Sequence, residues 1–109
     1  MKDKTANYKC PLSVTLGLIG GKYKTIILWH LYCNKVMRFN ELQKMILNVT
    51  PKMLIQQLKQ LEADKLITRK VYPVVPPKVE YSLTEIGKTI IPVLESMNAW
   101  GEKYFEAIK

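Results

Sequence analysis

The chain has 109 residues, enough for one domain around a modest core and too few for two. Its composition, 48% hydrophobic and 24% charged, is that of a globular protein, and no run approaches the roughly 20 apolar residues that span a bilayer. The start MKDKTANYK carries no secretory signal, so no membrane association and a cytoplasmic location are expected.

The net charge of +8 is unevenly spread. Residues 1–83 hold 14 of the 17 basic and 5 of the 9 acidic residues, a balance of +9, against −1 for residues 84–109. A basic surface releases the counterions condensed on nucleic acid, whereas surplus solvated lysines would give the same count. Cys10 and Cys33 do not make a disulfide framework. With His30 as the lone histidine, no metal or cofactor is expected.

In chain order, residues 1–10 read as a flexible arm ending at Cys10-Pro11. LSVTLGLIGG predicts a short helix stopped by Gly20-Gly21. KYKTIILWHLYCN predicts a second helix, apolar on most faces and therefore central to a core or a subunit interface. Trp29, His30 and Cys33 fall on it and are expected in the core or interface rather than in a ligand site.

RFNELQKMI predicts a third helix, with Asn40 as its N-cap and Gln43 in the capping-box position. LNV then forms a turn to Thr50-Pro51, a cap residue followed by proline where the missing N–H does no harm. The helix from Pro51 to about Asp64 buries Leu54, Leu58 and Leu61, with Ile55 on the flank. Lys52, Met53, Gln56, Lys59 and Gln60 lie away from that face, and Gln57 sits at the edge of the core.

ITRKVY alternates as a half-buried strand does, and VEYSL repeats the pattern with Val79, Tyr81 and Leu83. The prolines of PVVPP between them force a protruding loop. Thr84 caps a final helix that Pro92 kinks or divides. Ile90, Leu94, Met97, Gly101, Tyr104 and Ile108 are spaced 4-3-4-3-4, the seam of a helix packed on a partner. Leu12, Leu16 and Trp100 join these residues as an expected dimer interface.

The segments CPL, IGGKYKTIILWHL, RFNEL, TPKMLIQQLKQLE and ITRKVYPVVPPKVEYSLTEIGKTIIPVLESMNAWG resemble the HxlR family of bacterial regulators, within the broader MarR-like group. They cover the chain from Cys10 to Gly101, and the wing phrase VYPVVPPKVEYSLT is the most specific of them. The resemblance implies an α+β, mostly helical fold. It is a winged helix-turn-helix domain over 1–109, with helix-turn-helix and wing at 39–83 and a dimerisation helix at 84–109. It also implies a homodimeric regulator that binds palindromic operators in double-stranded DNA.

On that reading the helix 51–64 enters the major groove. Gln56 is placed to contact adenine, Lys52 guanine or phosphate, and Thr50 and Pro51 a phosphate at the helix N-terminus. Met53, Gln57, Lys59 and Gln60 line the same surface. Arg38, Arg69, Lys70 and Lys78 are expected near phosphates around the wing tip 73–78.

Lys65 stands where relatives often have glycine, and Lys78 where arginine is common. Cys10 matches a position at which some relatives sense oxidants or electrophiles; a small packed residue is the plainer role. A small-molecule or oxidant effector fits this picture without being identified.

Two rival classes fit the residues less well. An enzyme needs convergent acid, base or nucleophile groups, which these scattered residues do not offer, and Gly20-Gly21-Lys22 lacks phosphate-loop spacing. A winged-helix module for protein or RNA partners needs apolar anchors or exposed aromatic platforms in place of lysines and glutamines.

Overall fold

The computed structural model describes residues 10–109. The arm expected over 1–10 lies, Cys10 apart, outside the described residues. The elements are α1 (Pro11–Ile19), α2 (Lys24–Asn34), β1 (Val36–Met37), α3 (Phe39–Met45), α4 (Pro51–Ala63), β2 (Ile67–Tyr72), β3 (Lys78–Leu83), α5 (Glu85–Lys88) and α6 (Ile91–Ala107). No described helix is long and apolar enough to cross a membrane.

The core forms around α2, whose Ile27, Leu28 and Leu31 are fully buried. They meet Leu42 of α3, Leu54, Leu58 and Leu61 of α4, Met37, Ile67 and Tyr81 of the sheet, and Ile91 and Leu94 of α6. The two parts of the molecule thus share one core across α2. Cys33, expected to be buried on this helix, is instead exposed. The helix turns its 27/28/31 side inward, which leaves Tyr32 and Cys33 on the outer side.

Helix α3 begins two residues earlier than expected. Arg38, in extended conformation, is the N-cap rather than Asn40. Glu41 sits three residues on and its Oε1 accepts the Arg38 backbone N–H at 2.7 Å, satisfying a donor that the helix itself cannot.

Thr50 caps α4 as its sequence dictates, its hydroxyl accepting the Met53 N–H at 3.1 Å. The other end closes as a Schellman motif. Leu66 N–H reaches the Leu61 carbonyl and Lys65 N–H the Glu62 carbonyl, both at 3.0 Å. That closure puts Lys65 at φ 64°, the left-handed region that costs a side chain about 1 kcal/mol relative to glycine.

Strands β2 and β3 pair antiparallel from Ile67 opposite Leu83 to Tyr72 opposite Lys78. A third strand, not expected from the sequence, extends the sheet in the order β1-β3-β2. It is only Val36 and Met37, opposite Ser82 and Tyr81. Only the base of the hairpin is buried; its far end stands free, with Val75 99% exposed.

After the wing, Thr84 accepts the Gly87 N–H at 2.9 Å and donates its hydroxyl to the Lys65 carbonyl at 2.7 Å. Helix α5 is therefore fastened to the turn that ends α4. Gly87 packs so closely there that a Cβ would overlap the Leu66 carbonyl oxygen. The expected C-terminal helix is divided at Thr89-Ile90. Pro92, second residue of α6, has no N–H to give the Lys88 carbonyl, so α5 stops at Lys88.

Candidate nucleic-acid interface

Helix α4 presents two unlike faces. Leu54, Leu58 and Leu61 are buried, whereas Thr50, Pro51, Lys52, Gln56, Lys59 and Gln60 are exposed on the outer side. Two of the expected contact residues sit lower on the flank: Met53 is partly buried against the core and Gln57 is half-buried. Both lie where the turn between α1 and α2 meets α4.

That turn was not singled out by the sequence reading. It brings Gly20, Gly21 and Lys22 beside Gln56, Gln57 and Gln60 of α4. Gly21 makes the approach at φ 104°, which favours glycine. The Tyr23 hydroxyl donates to the Asn48 carbonyl at 3.1 Å, tying the start of α2 to the turn between α3 and α4. Lys22 is thereby exposed on the flank of the presented face. No local pattern could have placed it there, since about 30 residues of chain separate it from its neighbours on α4.

On the other flank the wing divides its charges by strand alternation. Arg69, paired with Tyr81, faces the cleft toward α4, which Ile55, Lys59 and Glu62 also line. Lys70, Tyr72, Lys78 and Glu80 share the opposite face. The Lys70 and Lys78 ammonium groups lie 4.9 and 5.0 Å from the centre of the Tyr72 ring. Lys78 also pairs with Glu80 at 3.3 Å, and the Tyr72 hydroxyl donates to Glu80 Oε1 at 2.9 Å. The Tyr72 hydrogen bond, followed by Lys78 and more weakly Arg38, holds the Glu80 carboxyl below the usual carboxylate range. Arg38 is exposed beside this face.

Of the expected partner seam on α6, the first two positions are taken up by the chain's own core and Met97, Tyr104 and Ile108 remain exposed. Leu94 is 4% exposed within the chain's own core, and Ile90 packs against that core, so neither is free for a partner. The exposed apolar residues are Val93, Met97, Trp100, Tyr104, Phe105 and Ile108, with Leu12 and Leu16 exposed on α1. Trp100 and Tyr104 stack at 5.4 Å between ring centres. Gly101 is half-buried beside them.

Cys10 is the N-cap of α1 and is exposed. The backbone N–H of Ser13, then that of Leu12, point toward its sulfur and favour the thiolate, lowering the thiol below its ordinary value.

The family model described as HxlR-like helix-turn-helix matches residues 18–109. The chain is 54% identical over 99 residues to YdeP of Bacillus subtilis, named an HTH-type transcriptional regulator, covering 91% of this chain and 77% of that one. Among solved structures, the redox regulator HypR in its reduced form superposes with a TM-score of 0.86 at 44% identity, covering 91% of this chain and 97% of that one. The reduced transcriptional regulator YodB from B. subtilis superposes at 0.75 with 33% identity, covering 89% and 95%. A helix-turn-helix followed by a free-standing hairpin, matched over this length, settles the fold as a winged helix. The chain belongs to the HxlR-like helix-turn-helix family of transcriptional regulators.

Proposed function

We propose that the chain binds double-stranded DNA sequence-specifically as a homodimer. Helix α4 lies in the major groove, and the wing tip 73–78 rests against the backbone or minor groove of a palindromic operator. The observation that carries this reading is the face of α4. Lys52, Gln56, Lys59 and Gln60 stand in the open on a helix held rigidly by its leucines and its Thr50 cap.

Glutamine amides match the donor and acceptor of adenine. Lysines reach guanine or phosphate, and the capped helix end adds partial positive charge toward an anion. Arg38, Arg69, Lys70 and Lys78 supply flanking cations, and Lys22 adds one the sequence reading did not include. The dimer is supported by the apolar strip of α1 and α6, too large in aromatic area to be left in water without cause. A two-fold pair presents two such α4 helices to half-sites one helical turn apart, roughly 34 Å.

Hydroxyl-radical footprinting on the duplex upstream of the protein's own gene tests this. Two protected half-sites about one turn apart on one face of the duplex are expected. Uniform protection, or none, would favour the alternative of a winged-helix module for a protein or RNA partner.

Regulation through Cys10 is a second part of the reading, favoured by its exposure and depressed thiol. Similar proteins of known structure include the redox regulator HypR and a diamide-treated form of YodB from B. subtilis. The thiolate is the reactive form, so an oxidant or electrophile is the effector class it suits. Loss of operator binding on alkylation of the wild type, but not of Cys10→Ser, is the expected result.

A further inference from the structure

Across the wing, residues 67–83, Glu80 is the lone carboxylate among Arg69, Lys70 and Lys78. It lies opposite Lys70 in the strand register and on the same face as Lys78. Lys78 Nζ is 3.3 Å from it and the Tyr72 hydroxyl 2.9 Å, so both groups that could turn outward are fastened inward. The pair is partly sheltered, Lys78 and Glu80 side chains being 36% and 22% exposed. The Tyr72 ring, with the Lys70 and Lys78 ammonium groups against it, fixes the geometry further. A phosphate that reaches the remaining N–H donors of Lys78 meets an ammonium whose charge is already matched by this carboxylate, and lies close to the carboxylate itself. A lysine already neutralised by a fixed anion also releases less counterion from DNA than a free one.

We propose that Glu80 is a specificity-determining residue of the wing, restraining Lys78 so that sequence-independent attraction is weakened and discrimination is left to α4. This rests on the DNA-binding reading above. Glu80 acts as a competing anion. It reduces the wing's hold on every duplex, while the operator recovers the difference through base contacts on α4.

The test is a double-mutant cycle of Glu80→Gln and Lys78→Ala, titrating the full chain against the upstream duplex and an unrelated duplex over a range of salt. Glutamine keeps an oxygen for the Tyr72 hydroxyl and removes only the charge. Glu80→Gln should tighten binding to the unrelated duplex and lower the ratio between the two. It should steepen the log affinity against log salt slope by up to about 0.9 per wing. A fourfold rise in salt would then cost up to about 3.5 times more affinity than in the wild type for each wing engaged, about 12 times for a dimer using both. Lys78→Ala should remove more slope from the Glu80→Gln chain than from the wild type. An unchanged slope in Glu80→Gln, or an increment that persists when residue 78 is alanine, overturns the proposal. If the wild type binds the duplexes and the slope does not move, this inference alone fails; if it binds neither, the DNA-binding reading fails with it.

Discussion

The face built by α4 and the wing and the face built by α1 and α6 differ in how exposure is used. On the first, every large apolar side chain of α4 but Ile55 is turned inward or packed on a flank, and what remains outside is amide and ammonium. On the second, Met97, Trp100, Tyr104, Phe105 and Ile108 are left in the open on a helix whose inward side is already filled by Ile91 and Leu94. A polar face of fixed geometry suits a polyanion read by hydrogen bonds, and an apolar face suits a second apolar face. Thr84 and Gly87 join the two regions, because α5 is fastened to the end of α4 before α6 departs. Helix α5 thus links the end of α4 to the start of α6. Cys10, at the start of α1, stands on the side of the apolar face.

The comparison breaks most visibly if the apolar face is charged. Trp100→Glu, at a position 66% exposed in the chain, should fold normally yet sediment as a monomer. Operator affinity should fall about 100-fold or more, since the two half-sites are then bound independently. On the opposite face, Lys52→Ala with Gln56→Ala should cost the operator about 1–3 kcal/mol per lost base contact, read by anisotropy, with little loss on an unrelated duplex. Equal losses on both duplexes would mean that these residues meet only the backbone.

Smaller effects sharpen the picture. Lys65→Gly relieves the left-handed residue that ends α4 and should stabilise the chain by about 1 kcal/mol, a rise of roughly 4 °C in thermal midpoint. The smallest effect is one of direction. Because the Cys10 thiol is lowered, its alkylation rate should rise with pH earlier than that of an unstructured cysteine peptide, and level off once the thiolate is complete.

Features whose cause is local were legible in the sequence. Thr50-Pro51 announces a helix start, and Lys65 stands at the residue after a cap, where a left-handed turn follows. The alternation in ITRKVY and KVEYSL gives both the hairpin and the split of Arg69 from Lys70 and Lys78. Features whose cause is tertiary were not. The strand Val36–Met37 is too short to show a period and exists because β3 offers it an edge. Arg38 displaced Asn40 as cap because Glu41 reaches back to the Arg38 N–H, an interaction that residue preference alone does not rank. Ile90 and Leu94 at the start of the expected α6 seam turned into the chain's own core because Pro92 starts a new helix, whose phase is fixed by Ile91 and Leu94 meeting that core, while Met97, Tyr104 and Ile108 stay exposed. Lys78 and Glu80, two apart on β3, share a face by alternation alone, but that Tyr72 reaches across the hairpin to fix Glu80 depends on the register of β2 on β3.

The central claim is that the α4 and wing face reads duplex DNA while the apolar face pairs the chain. A fluorescence-anisotropy titration of the wild type, against the duplex upstream of its own gene and an unrelated duplex at two salt concentrations, tests it most directly. The account predicts a clear preference for the upstream duplex, a stoichiometry of two chains per site, and affinity that falls steeply with salt. Weak and equal binding to both duplexes, indifferent to salt, would contradict it.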